Sequence, residues 1–203
     1  MYKVLESVFR LDARAGLAKS SSEIDDRQIG RLLSEYGGSS FENGLYRVIS
    51  IDDFESWQDR IAIAYPGYED RVRCFGFDWA GNVFAVDMKR FENGLPGVVL
   101  FEIGTGEALR IPANLDSFHN ECLLDADGAA LNVGYYKHWR AQGGAAPAYN
   151  ECVGYRKPLF LQGVDDISNL EISDIDVYWH IVGQLAGKVR GLPPGTKLNI
   201  TLD

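Results

Sequence analysis

The side chains able to do chemistry are few and scattered. His119, His138 and His180 stand singly, and none has the HExxH spacing that sets two imidazoles on one helix face for a metal. A lone histidine more often completes a structural hydrogen bond than ligates or catalyses, so no catalytic role is assigned to any of them. Cys74, Cys122 and Cys152 are far apart, leave one unpaired and match no CxxC or zinc pattern; they are expected to be reduced, structural thiols. Ser20-Ser21-Ser22 lacks the GxSxG elbow that activates a serine. Gly104-Thr105-Gly106 lacks the later Gly and Lys of a phosphate loop and reads as a β-turn. Arg71, Arg73 and Trp79 are too few and too separated for a nucleic-acid platform. The expectation is a chain that is not an enzyme and holds no cofactor and no metal.

Carboxylates are the chemistry present in quantity. The formal net charge is −9. Residues 111–136 hold Asp116, Glu121, Asp125 and Asp127, and residues 158–187 hold Asp165, Asp166, Glu171, Asp174 and Asp176, with no Lys or Arg in either stretch. These nine account for the whole imbalance, since the remainder has 20 acidic and 20 basic residues. Asp165, Asp166, Asp174 and Asp176 offer oxygen ligands for Ca²⁺ but match no EF-hand loop, and helix N-terminal charge explains part of the cluster. A solvated acidic face is the simpler reading. Such a field repels phosphate backbones and anionic membranes and attracts a basic protein.

These groups must be positioned by one domain, because 203 residues with 46% apolar content suffice for a single buried core and exclude a disordered polymer. No run of eighteen apolar residues exists, and the N-terminus lacks an uninterrupted apolar stretch before a cleavage site, so a cytoplasmic location is expected. Residues 1–21 read as a loosely attached arm, 22–190 as the domain and 191–203 as a tail. Ser22 and Asp25 cap a helix over 23–36 that Gly37-Gly38 stops, and a short strand follows over 45–49. Ser50 and Asp53 open a second helix through Phe54, Trp57 and Ile61 to Pro66-Gly67. Cys74–Asp87 reads as a hairpin turning at Gly81-Asn82, and Gly97–Ile103 with Ala108–Ile111 as another antiparallel return. Helical spacing covers 114–124 and 129–140, and Gln142–Tyr149 is a loop. A short strand is expected at Pro158–Leu161, then a final helix opened by Ser173 and Asp176 with Ile175, Tyr178, Trp179, Val182, Leu185 and Val189 inward. The pentapeptide FENGL, at 41–45 and 91–95, is read as two independent Asn-Gly turns because nothing around it repeats.

The hairpin Phe75-Gly76-Phe77-Asp78-Trp79-Ala80-Gly81-Asn82-Val83-Phe84-Ala85-Val86-Asp87 resembles the central signature of the SUKH superfamily, the yeast cell-wall-regulator-like proteins that include bacterial immunity proteins. Pro158-Leu159-Phe160-Leu161-Gln162-Gly163, Asn169-Leu170-Glu171, Asp174 and the run from Val177-Tyr178-Trp179 to Gln184-Leu185 are similar to the C-terminal part of type VI secretion immunity proteins related to the GAD-like group. Gln162 stands where that likeness leads one to expect the second glycine of a Leu-Gly-Gly turn. The resemblance spans roughly residues 22–190. It implies an α+β domain, a mainly antiparallel central sheet with flanking helices, and a protein that neutralises a cognate toxin by binding, the toxin being basic if it is a nuclease. A non-catalytic regulatory or scaffolding module is the alternative. On this reading Asp165, Asp166, Glu171, Asp174 and Asp176, with exposed aromatics near Trp79 or Trp179, form the partner-binding surface.

Overall fold

A computed structural model describes residues 3–13, 27–125 and 128–191. The elements run α1 Lys3–Val8, β1 Leu11–Ala13, α2 Arg27–Tyr36, β2 Ser40–Phe41, β3 Tyr46–Val48, α3 Phe54–Ala64, β4 Val72–Asp78, β5 Val83–Glu92, β6 Leu95–Glu102, β7 Glu107–Asn114, α4 Leu115–Asn120, α5 Val133–Ala141, β8 Glu151–Tyr155, β9 Leu170–Asp174 and α6 Ile175–Val189. Seven strands form one sheet in sequence order, β1 to β7, every pair antiparallel, and β8–β9 form a second, two-stranded sheet. This is the expected α+β architecture.

The central strand explains how helices cover both faces. Along β4, Cys74 faces α3, where its thiol lies 3.9 Å from the Trp57 carbonyl, whereas Phe75 packs edge-on against Phe118 of α4. Strict alternation would return Phe77 to the α4 side. A bulge between Cys74 and Gly76 inserts one residue, so Phe77 lands opposite Phe75 and stacks on Trp57 of α3 at 5.5 Å. Position 76 thus shares the crowded side with Phe75: a Cβ there would lie 2.6 Å from the Tyr46 hydroxyl and 2.9 Å from the Arg47 carbonyl oxygen, which only glycine avoids.

The Asn-Gly turns behave as the composition requires. Asn93 and Gly94 have φ of 52° and 81° and join paired Glu92 and Leu95 in a two-residue loop, whereas Asn43 and Gly44, at 58° and 80°, lie in a four-residue loop between paired Phe41 and Tyr46. Unequal loops from one pentapeptide fit turn chemistry rather than an internal repeat. Gln162 also has a positive φ, 65°, the left-handed conformation favoured by the glycine expected there.

Three expectations are corrected. Leu5 and Phe9 are buried and β1 pairs with β2, so residues 3–13 are packed rather than loosely attached. Pro158–Leu161 forms no strand; Leu159–Leu161 is a 3₁₀ turn, and the strands are β8 and β9, which bond chiefly to each other. The last helix is capped by Asp174, whose carboxylate accepts from the Asp176 and Val177 amides, rather than by Ser173. The Ser22–Asp25 capping signal, the rest of the expected arm and all of the expected tail but Gly191 lie outside the described residues.

Candidate functional site

All five carboxylates of the expected binding surface are exposed, and each has a local partner. Asp165 accepts the Tyr155 hydroxyl at 2.6 Å, and Asp166 caps the 3₁₀ turn Ile167–Asn169 by accepting the Ser168 amide at 2.9 Å. The hydrogen bonds from Ser168 hold the Asp166 pKa below the usual carboxylate range. Glu171 on β9 pairs with Arg156 at 3.2 Å, Asp174 caps α6, and Asp176 in the first turn of α6 reaches Arg60 of α3 at 2.9 Å. Their neighbourhoods differ. Asp165 sits beside Tyr155 and Tyr135, and Asp176 beside Arg60 and Asp53.

The two tryptophans expected near an exposed surface are buried. Trp79, 1% exposed, donates its indole N–H to the Leu131 carbonyl at 2.9 Å, and Trp179, 2% exposed, donates to the Gly81 carbonyl at 2.8 Å. Each buries a large apolar ring while its one donor is satisfied, which is how tryptophan enters a core. Trp179 meets Trp57 edge-on at 5.6 Å and so locks α6 against α3.

A cavity of about 90 Å³ lies beneath the β4–β5 and β6–β7 turns, lined by Asp78, Glu102, Tyr135, Tyr155 and Tyr178 among others. That volume suits about three waters. Burial pushes the Asp78 pKa up to about 7 against the opposing pull of Asn82 and Arg47. Both Asp78 oxygens are occupied, one by the Ala80 and Asn82 amides and the other by the Asn82 side chain, so this carboxylate stabilises the turn and is not poised as a base. Burial likewise raises the Tyr155 and Tyr178 pKa values far from neutrality. No nucleophile stands beside a base here.

The remaining candidates are structural. His119 is fully buried and its pKa is lowered by burial to about 4, so it is neutral; its Nδ1–H donates to the Leu115 carbonyl at 2.9 Å and its Nε2 accepts from the Tyr46 hydroxyl at 2.9 Å. His138 and His180 are exposed and belong to different helices. Burial raises the thiol pKa of all three cysteines, and all are free. No group of three potential metal ligands occurs among the described residues. No helix among them is long and apolar enough to cross a membrane.

One surface escaped the sequence reading. Between α3 and α6 runs a groove of about 480 Å³ lined by Arg60, Ile63, Asp176, Val177, Trp179, His180, Ile181 and Gln184. Ile63 and Val177 are 62% and 54% exposed. In the sequence Asp53 stands out only as part of a helix-capping signal, and the carboxylates around it are concealed by the balanced total outside the two acidic stretches.

Comparison with known proteins supplies what geometry cannot. Residues 113–186 match the family described as T6SS immunity protein Tdi1, C-terminal. The crystal structure of Atu4351 from Agrobacterium tumefaciens resembles the chain with a TM-score of 0.58 at 13% identity, covering 91% of this chain and 89% of that one, a likeness of fold alone. No protein of curated function matches the sequence. The likeness to type VI secretion immunity proteins read from the segments between Pro158 and Leu185 is therefore borne out, over the stretch from the end of β7 through most of α6.

Proposed function

We propose that the protein is an immunity protein that binds a cognate type VI secreted toxin in the cytoplasm and neutralises it by occlusion, without turnover. The observation that carries this is the family match over residues 113–186, which includes all five carboxylates from Asp165 to Asp176. The charge supports a basic partner: a chain of net charge −9 is steered towards a cationic surface, and an enzyme that grips phosphate presents one. The structure is compatible with obstruction as the mechanism, since both buried acids among the described residues are engaged, Asp78 within a turn and Asp87 by Arg71.

Co-expression tests the reading. Production of the toxin encoded beside this chain should stop growth, and production of this chain with it should restore growth and yield a one-to-one complex on size exclusion. Continued lethality, with no complex between the purified proteins, would refute it.

A further inference from the structure

The groove between α3 and α6 has the anatomy of an interface core with a polar rim. Ile63 and Val177 are two of the eight exposed large apolar side chains among the described residues, and they line the same groove together with the partly buried Ile181. Trp179 forms its floor, held by its bond to Gly81 and by its edge contact with Trp57, so the base of the groove is rigid before any partner arrives. Buried aromatic support beneath exposed aliphatic anchors is the setting in which a few side chains carry most of an interface's affinity.

The rim states the charge of the occupant. Residues 51–70 contain six carboxylates and one cation, Arg60. That cation is engaged, lying over the Trp57 ring at 4.6 Å and pairing with Asp176 at 2.9 Å. Outside the groove's lining, Asp52 in the 3₁₀ turn before α3 and Glu55 and Asp59 on α3 are exposed and make no ion pair among the described residues, Glu55 and Asp59 bordering the neighbouring hollow that holds Glu69, Asp70 and Arg73. Burial, and then the nearby charge of Asp176, raises the Asp53 pKa above the usual carboxylate range. The carboxylates from Asp165 to Asp176 all serve caps, pairs or hydrogen bonds, whereas Asp52, Glu55 and Asp59 make no ion pair among the described residues.

We infer that the α3–α6 groove is the toxin-docking surface, and that it receives a cationic segment of the toxin carrying at least one apolar anchor. The anchor sits over Trp179 between Ile63 and Val177, while the toxin's Lys or Arg groups meet Asp52 and Asp59 beside the groove. This rests on the immunity reading and names its interface.

The test uses the toxin whose lethality the chain suppresses, purified with its active site inactivated, and measures binding by surface plasmon resonance from low to high salt. Ile63→Lys combined with Val177→Lys should raise Kd about 30-fold or more, as loss of an interface anchor does. Asp52→Asn with Asp59→Asn should slow association several-fold at low salt, with the difference closing at high salt. Asp166→Asn with Glu171→Gln, at the other acidic neighbourhood, should change Kd by less than about threefold, the scale of a rim contact. All six positions are exposed, and circular dichroism confirms folding of each variant. Wild-type binding with unaltered Ile63/Val177 and Asp52/Asp59 variants, or equal weakening by all three pairs, overturns the groove and leaves the immunity reading standing. A wild-type protein that binds no toxin overturns both.

Discussion

Replacing Arg47 by Met should destabilise the protein by about 2–4 kcal/mol. Arg47 on β3 is fully buried and stacks over Phe77 at 4.5 Å. Its Nη1 donates to the Ala148 carbonyl at 2.7 Å and to the Glu151 carbonyl, and its Nη2 to the Asp78 carbonyl at 2.5 Å. One side chain thus ties the main sheet to the segment entering β8. Methionine fills similar volume but leaves the buried Asp78 carbonyl and two part-buried carbonyls, of Ala148 and Glu151, without this donor, at ~1–3 kcal/mol each with the part-buried pair towards the middle of that range, or ~5–7 in all. Against this, burial costs the guanidinium charge ~3 kcal/mol, as its pKa of about 10 records, and the variant regains that amount. The net remains unfavourable because backbone acceptors, unlike a partner side chain, cannot be substituted away with the charge. Urea unfolding at neutral pH measures the difference, and hydrogen exchange localises it: the Val153 amide, which donates to the Trp79 carbonyl, should lose protection more than amides in β5 and β6. A variant within about 0.5 kcal/mol of wild type, the scale of a neutral surface change, would refute this account of how the two sheets are joined.

Three further outcomes follow from local geometry. His119 is neutral when folded, with a pKa lowered to about 4, so its contribution is complete above pH 6.5 and lost as pH falls towards 4. The stability difference between wild type and His119→Gln should therefore be about 2 kcal/mol smaller at pH 5 than at pH 7.5, and a pH-independent difference in urea unfolding would count against a buried neutral imidazole. Gly76→Ala should cost about 1–3 kcal/mol, since its Cβ meets backbone on one side and the Tyr46 hydroxyl on the other; a neutral effect in thermal unfolding would mean the bulge can relax. Asp174→Ala should cost about 1 kcal/mol through loss of the α6 cap, with Asp174→Asn retaining most of it, and equal losses in the two variants would argue for charge rather than capping.

The fold was largely legible where pattern and turn chemistry agree. Ile29, Leu32, Leu33 and Tyr36 announced α2, Phe54, Trp57 and Ile61 announced α3, and Gly81-Asn82 between two apolar runs announced the β4–β5 hairpin. The strands β8 and β9 were not legible: each is five residues long, each includes polar positions, and their pairing joins Tyr155 to Leu170 across two intervening 3₁₀ turns. The site was less legible still. Sequence total charge pointed to Asp165–Asp176, but counting charges does not reveal which are already paired. The tryptophans misled for a related reason, because an indole that donates to a carbonyl can be buried as readily as it can face a partner.

By itself the sequence determined the local matters: which stretches coil or extend, where Asn-Gly turns reverse the chain, the excess of negative charge, and the segments that carry the likeness to immunity proteins. Tertiary structure alone decided which side chains share a surface. Ile63 and Val177 are 114 positions apart, and Arg60 and Asp176 116, yet α3–α6 packing brings them to one groove. The physical reason is that periodicity reports only which face of an element seeks burial, whereas the neighbour that covers it, and the surface left open beside it, depend on how distant elements pack.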